Sequence, residues 1–291
     1  MAYTIRFWGT RGSIPTPGPH TSRYGGNTPC ISVEGENGNP PNKVILDAGT
    51  GIRLLGSELL AKAQGGVEAD LLLSHTHWDH IQGLPFFGPF FGSSNRIRIW
   101  GPPQGEVGLE KILRLQMDPV VFPVPLDRLA AQLSVEHVES QDVEIDGFRV
   151  QTTRLRHPGN TLGYRLTPQN GGASFAYVTD NELGSGGDYQ VGPQWRQELV
   201  DFLSGAEVLI HDAMYTTDEL EKHRGWGHSS NYEAVALARE AGVGRLVLFH
   251  HLPEHSDEDI DHLLQEARTT ADDPGQPLEV IAATEGLELT L

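Results

Sequence analysis

The sequence predicts a layered α/β protein, on three observations. Short alternating or apolar runs bounded by Gly, Pro and Asn recur from end to end, helix-spaced segments stand between them, and no apolar run is long enough to span a bilayer. Strands are expected at 3–8, 43–47, 70–74, 96–100, 148–155, 174–179, 207–211, 245–250 and 278–282. Helices are expected at 52–64, 109–115, 194–203, 232–241 and 257–267. The fourth helix is the best marked: Ser230 stands three residues before Glu233 as a capping box, Ala234, Leu237, Ala238 and Ala241 share one stripe, and Gly242 lies beyond the end. Pro and Gly crowd 12–42 and 83–125, which read as surface loops; the second contains an aromatic segment, 84–91, suited to core, a pocket wall or a subunit interface. With no fixed-period repeat and no long linker, one domain spanning 1–291 is expected.

The charge balance is 21 Lys+Arg against 39 Asp+Glu, a formal −18 that repels phosphate backbones and anionic lipid surfaces at long range. Stable nucleic-acid or membrane binding is therefore disfavoured, whereas a small anionic substrate is not. Cys30 is the lone cysteine, so a metal would be held by His and carboxylate, and a reducing cytoplasm is the natural setting. The N-terminus alternates like a strand rather than reading as a cationic region followed by an apolar stretch.

The densest chemistry is Ser74-His75-Thr-His77-Trp-Asp79-His80, directly after an apolar strand. Three imidazoles and a carboxylate within six residues, at the end of a strand where α/β sheets place active sites, suit Zn²⁺ or Mn²⁺. The pattern HxHxDH resembles the second motif of the metallo-β-lactamase superfamily. Four further residues arrive in the order that resemblance requires: Asp47, His157, Asp180 and His250, each at or after the end of a strand. The fold implied is a four-layer αββα sandwich. The implied ligands are His75, His77 and His157 for one metal and Asp79, His80 and His250 for a second, with Asp180 bridging and Asp47 orienting a ligand imidazole from behind. His250 is preferred to His251 because it directly ends the apolar strand. The ions implied are two divalent metals, Zn²⁺ first, with Mn²⁺ or Fe as alternatives.

Downstream, Ile210-His211-Asp212-Ala-Met-Tyr and Gly225-Trp-Gly-His228-Ser-Ser resemble the phosphodiesterase branch typified by ribonuclease Z. There a His backed by a carboxylate protonates the leaving oxygen, which assigns His228 and Asp212 to that role here; Asp212 replaces a Glu and is one methylene shorter. Ser229 and Ser230 are read as helix caps. Arg11 and Asn27, in glycine-rich turns, are possible phosphate contacts or ordinary hairpin residues. Ribonuclease Z relatives insert a basic arm between the third-motif His and the next Asp. Here only 23 residues separate His157 from Asp180, with Arg165 the one basic residue and a Pro168–Gly172 turn joining two strands.

The resulting expectation is a dinuclear hydrolase of small phosphodiesters, with 3′,5′-cyclic nucleotides leading. A hydroxide held by the metals and positioned by Asp79 and Asp180 would attack phosphorus. The alternatives are an RNase Z-like endoribonuclease, a thioester or lactone hydrolase, and a non-catalytic metal-binding protein. The resemblance further implies a homodimer.

Overall fold

Burial with a period of two builds the strands, and most are apolar on both faces. In β1 (Tyr3–Gly9), Tyr3, Ile5 and Phe7 enter one apolar cluster and Trp8 another; in β3 (Lys43–Leu46), Val44 and Leu46 face one way and Ile45 the other. Such strands must be covered on both sides.

The computed structural model describes residues 2–35, 43–139, 142–184 and 186–291. One sheet contains β1, β2 (Cys30–Gly35), β3, β4 (Glu68–Leu72), β5 (Arg96–Gly101) and β6 (Gln132–His137). The other contains β7 (Val143–Ile145), β8 (Phe148–Arg154), β9 (Leu162–Pro168), β10 (Phe175–Val178), β11 (Val208–Asp212), β12 (Arg245–Phe249) and β13 (Glu279–Ala282). The last strand, β14 (Glu288–Thr290), returns to pair with β1, giving the orders β14-β1-β2-β3-β4-β5-β6 and β13-β12-β11-β10-β9-β8-β7. Between the sheets lies a core that includes Phe7, Leu46 and Leu72 on one side and Tyr164, Tyr177 and Phe249 on the other. Helices α1 (Ile52–Lys62) and α3 (Leu109–Gln116) cover the outside of the first sheet. The outside of the second is covered by α4 (Trp195–Leu203), α6 (Asn231–Ala241) and α7 (Asp257–Ala271). This is the expected helix–sheet–sheet–helix layering.

Each sheet runs antiparallel on one side and parallel on the other, with the change at β3 in the first and β10 in the second. The loops after the parallel strands, with the β8–β9 loop that carries His157, hold the candidate chemistry.

Several elements differ from the expected ones. The stretch 12–42 is not all loop, because it contains β2; residues 36–42 lie outside the described residues. Within 83–125, Phe87 and Phe90 are buried in the core while Phe86 and Phe91 are 60% and 47% exposed, so the aromatic segment is half core and half surface. The short strands β6, β7 and β14 carry weak alternation, and β7 and β14 are held at sheet edges by pairing. Helix α5 (Thr217–Lys222) also escaped the pattern reading, although Thr216 and Glu219 form a full capping box.

Candidate metal centre

Backbone kinks at strand ends build the centre. Of five non-glycine residues with positive φ among the described residues, Asp47 (57°) and His250 (60°) directly follow β3 and β12, and Asp180 (48°) follows β10 after Thr179. Ser13, at 61°, meets them from the N-terminal loop, its N–H donating to Asp79 Oδ2 at 2.8 Å. Left-handed backbone at non-glycine residues costs on the order of 1–3 kcal/mol each and persists where the surroundings over-determine it. Here it turns polar side chains off the strand axes.

The structure gathers every residue of the expected ligand set. His75, His77 and His157 form one group, with His157 Nε2 2.9 Å from His77 Nδ1. Asp79, His80, Asp180 and His250 form the other. Asp79 and His80 ride on the single turn α2 (Trp78–Ile81) that follows the β4 loop. Asp180 lies between the groups: Oδ1 is 3.2 Å from both His80 Nε2 and His250 Nε2, while Oδ2 is 3.6 Å from His157 Nε2 and 3.8 Å from His75 Nε2. His251 points away, its Nε2 2.9 Å from the Ala283 carbonyl.

The electrostatics suit a divalent cation. Burial lowers the pKa of His75 well below the ordinary imidazole value, and that of His157 to about 4, leaving neutral rings with free lone pairs. Burial also opposes charge on His80, but Asp79, Asp180 and Asp47 overcome it and raise its pKa well above normal. Asp79 and Asp180 stay ionised despite burial, because neighbouring imidazoles favour the carboxylate: first His80 for Asp79, first His250 for Asp180. The carboxylates thus demand positive charge at this point, which a divalent ion supplies in place of a proton. His75 Nε2 and His80 Nε2 are buried without a hydrogen bond, as ligand nitrogens would be.

A buried network orients this cluster. Asp47 Oδ2 is 2.7 Å from His80 Nδ1 and accepts from Ser74 Oγ and Tyr177 Oη, while Oδ1 accepts from the Ser74 N–H. The sheet pairing ends here: the Leu73 N–H still donates to the Trp100 carbonyl, whereas the Ser74 N–H goes to a side chain. Pattern reading gave Asp47 its supporting place but assigned no role to Ser74 or Tyr177, which act only through tertiary contact.

His228 and Asp212 meet despite the shorter carboxylate, with His228 Nδ1 2.5 Å from Asp212 Oδ2. The other oxygen, Oδ1, accepts from the N–H groups of Met214 and Ser229. The His228 ring stacks at 5.2 Å on His250 and lies edge-on at 5.1 Å to His157. Burial disfavours its charge, but Asp212 outweighs burial and raises the pKa to about 9. Ser230 caps α6 in a capping box with Glu233. Ser229 does not cap; its hydroxyl donates to the Asn181 carbonyl and accepts from the Leu183 N–H.

Glu182, which pattern reading missed, and Gly227, to which it assigned no role, hold the His228 loop. Buried Glu182 accepts from the N–H groups of Gly225 and Gly227 and from Tyr189 Oη. Gly227, at φ 87°, turns its carbonyl to His157 Nδ1 at 2.9 Å, and an added Cβ would lie 2.2 Å from that nitrogen. Arg11 is not available to a phosphate: it is fully buried and donates to the carbonyls of Gly25, Leu252 and His255. Asn27 is likewise committed, to Glu285.

Residues 42–251 match the family described as the beta-lactamase superfamily domain. The chain is 26% identical to ribonuclease BN of Salmonella gallinarum, over 90% of this chain and 93% of that one. It is 23% identical to ribonuclease Z of Oceanobacillus iheyensis, over 68% and 76% respectively. Unliganded yeast PDE1 superposes with a TM-score of 0.73 at 14% identity, covering 100% of this chain and 99% of the other. Among the described residues, no helix is long and apolar enough to cross a membrane. With its ligand-type residues gathered at the ends of two facing sheets, the chain belongs to the metallo-β-lactamase superfamily, as a metal-dependent hydrolase of the branch that resembles ribonuclease Z.

Proposed function

We propose that the protein hydrolyses small phosphodiesters, 3′,5′-cyclic nucleotides first among them, with two divalent ions, Zn²⁺ by preference. The observation that carries this reading is the His228–Asp212 pair, 2.5 Å apart and packed against His157 and His250. A thioester or lactone hydrolase has no comparable need of a second proton donor beside the ligand cluster.

His75, His77 and His157 would hold one ion and Asp79, His80 and His250 the other, with Asp180 shared. The ions, when bound, supply a nucleophile at neutral pH and offset charge on the phosphoryl oxygens. The chain's residues do the rest. Asp47 holds His80 by Nδ1 and so presents Nε2; the Gly227 carbonyl does the same for His157. His228, its Nδ1 occupied by Asp212, delivers the Nε2 proton to the departing ribose oxygen.

The size of the substrate follows from the segment between His157 and Asp180. It is taken up by the hairpin of β9 and β10, and its one basic residue, Arg165, is spent on the Phe202 and Ser204 carbonyls. Nothing in it offers a polyanion a basic arm, and −18 opposes one. The kinship with ribonucleases Z and BN favours RNA cleavage as the second reading. We expect a homodimer using the exposed Phe86 and Phe91, to be read by sedimentation.

The test is hydrolysis of bis(p-nitrophenyl) phosphate, cyclic AMP, cyclic GMP and precursor tRNA after chelation and separate Zn²⁺ or Mn²⁺ addition. Metal-restored turnover of a cyclic nucleotide, reduced about 10²- to 10⁴-fold in His228→Ala, is expected. Cleavage of precursor tRNA alone would establish the second reading, and metal binding with no phosphodiester cleavage would end both.

A further inference from the structure

Glu182 is fully buried and, among the described residues, has no ion-pair partner. Three donors meet it instead: the N–H groups of Gly225 and Gly227 and the Tyr189 hydroxyl, at 2.9, 3.1 and 2.5 Å from Oε2. Taking a carboxylate out of water with no cation beside it is expensive, and a purely structural contact is made at lower cost by a neutral side chain.

The place of Glu182 in the chain supplies a use. It stands two residues after Asp180, which lies between the two histidine groups. Asn181 Oδ1 accepts from the Arg156 N–H and the Glu182 N–H donates to the Arg156 carbonyl, so the residue before His157 is tied to this segment on both sides. The Asn181 carbonyl accepts from the hydroxyl of Ser229, immediately after His228. The Glu182 carboxylate takes the N–H of Gly227, immediately before His228. His228 is thus held between two anchors that both belong to the segment carrying Asp180. Gly227 is fixed from its other side too, because its carbonyl meets His157 Nδ1.

We propose that Glu182 is a positioning residue for proton transfer, setting His228 at the distance from Asp180 that the leaving oxygen requires. The inference deepens the phosphodiesterase reading and rests on it for the role of His228. As the P–O bond breaks, its electron pair goes to the ribose oxygen, which takes the proton of His228 Nε2. A donor misplaced by about 1 Å can forfeit about 10²-fold in rate. Departing p-nitrophenolate is a stable anion and needs no proton. Misplacing His228 therefore penalises a ribose leaving group more than a nitrophenyl one, a selectivity that loss of metal or of fold does not produce.

The experiment compares kcat for a cyclic nucleotide, cyclic AMP or cyclic GMP, with kcat for bis(p-nitrophenyl) phosphate at saturating Zn²⁺. The proteins are the wild type, Glu182→Ala, Glu182→Gln, His228→Ala and the Glu182→Ala/His228→Ala double variant. Glu182→Ala should lower the ratio of the two kcat values roughly 10- to 10²-fold. Glu182→Gln should restore most of it, since its carbonyl oxygen can occupy the place of Oε2 and still accept. The double variant should show the ratio of His228→Ala alone, because a misplaced donor and a missing one fail at the same step. Equal losses on both substrates in Glu182→Ala, or a double variant whose ratio falls by the product of the single effects, overturn the positioning role. Thermal midpoints report folding, and Glu182→Asp, too short to reach both glycine N–H groups, replaces Glu182→Ala if that variant does not fold. A His228→Ala ratio equal to that of the wild type overturns the proton-donor reading and the positioning role with it, as does a wild type that turns over no cyclic nucleotide under any metal. A ratio reduced in His228→Ala but not in Glu182→Ala overturns the positioning role alone.

Discussion

The two sheets share one plan and use it differently. In each, antiparallel strands give way to parallel ones at a single strand, β3 or β10, and in each an aspartate follows that strand with positive φ. Asp47 of the first sheet takes hydrogen bonds from Ser74 and Tyr177 while facing Nδ1 of His80, a candidate ligand. Asp180 of the second faces the space between the two histidine groups. The same backbone device thus serves support in one half and contact in the other. What surrounds the kink, rather than the kink itself, decides the role.

Asp180→Asn separates the two most sharply. Metal content should fall at both groups and turnover should be lost, read by elemental analysis beside the activity assay; full metal occupancy in the variant would break the distinction. Asp47→Ala should be milder, weakening metal affinity by about 10- to 100-fold while excess metal restores turnover. If Asp47→Ala proves as severe as Asp180→Asn, the supporting role is wrong.

The second half also carries His228, the proposed proton donor, which gives a pH test. An acid acts while protonated, so activity should fall as pH rises through the His228 pKa, raised to about 9 by Asp212 and brought lower by any cation bound nearby. Asp212→Asn removes the opposing carboxylate and leaves burial unbalanced, so the alkaline limb of kcat should move to lower pH. An unmoved limb would assign that titration to another group. The smallest effect belongs to Ser230, which caps α6 without chemistry: Ser230→Ala should cost about 1 kcal/mol in urea unfolding with kcat unchanged.

The residues gathered at the centre were legible in the sequence because such side chains are concentrated at places that pattern marks. HxHxDH is local, and Asp47, Asp180 and His250 each stand at or just past an apolar run. The supporting roles were not legible, since Ser74, Tyr177, Glu182 and Gly227 act across separations that no local pattern records. Arg11 shows the reverse failure: an arginine between glycines suggests a phosphate site, yet its guanidinium is fully buried and its Nη1 donates to two backbone carbonyls of a loop some 240 residues away. Strands β7 and β14 were invisible because partners supply what their own sequences lack, whereas α5 carried a readable Thr-x-x-Glu signal.

The hydrogen bond from Tyr177 on β10 to Asp47 beyond β3 crosses from one sheet to the other, and the ligand groups are divided the same way. Each group needs residues from both halves: His157 joins His75 and His77, and Asp180 and His250 join Asp79 and His80. A cation bound there acts as a thermodynamic staple between the halves, stabilising only the docked state and by an amount that grows with the logarithm of free metal. Chelation should therefore loosen the sandwich as well as silence the enzyme, and the unfolding midpoint should track metal concentration.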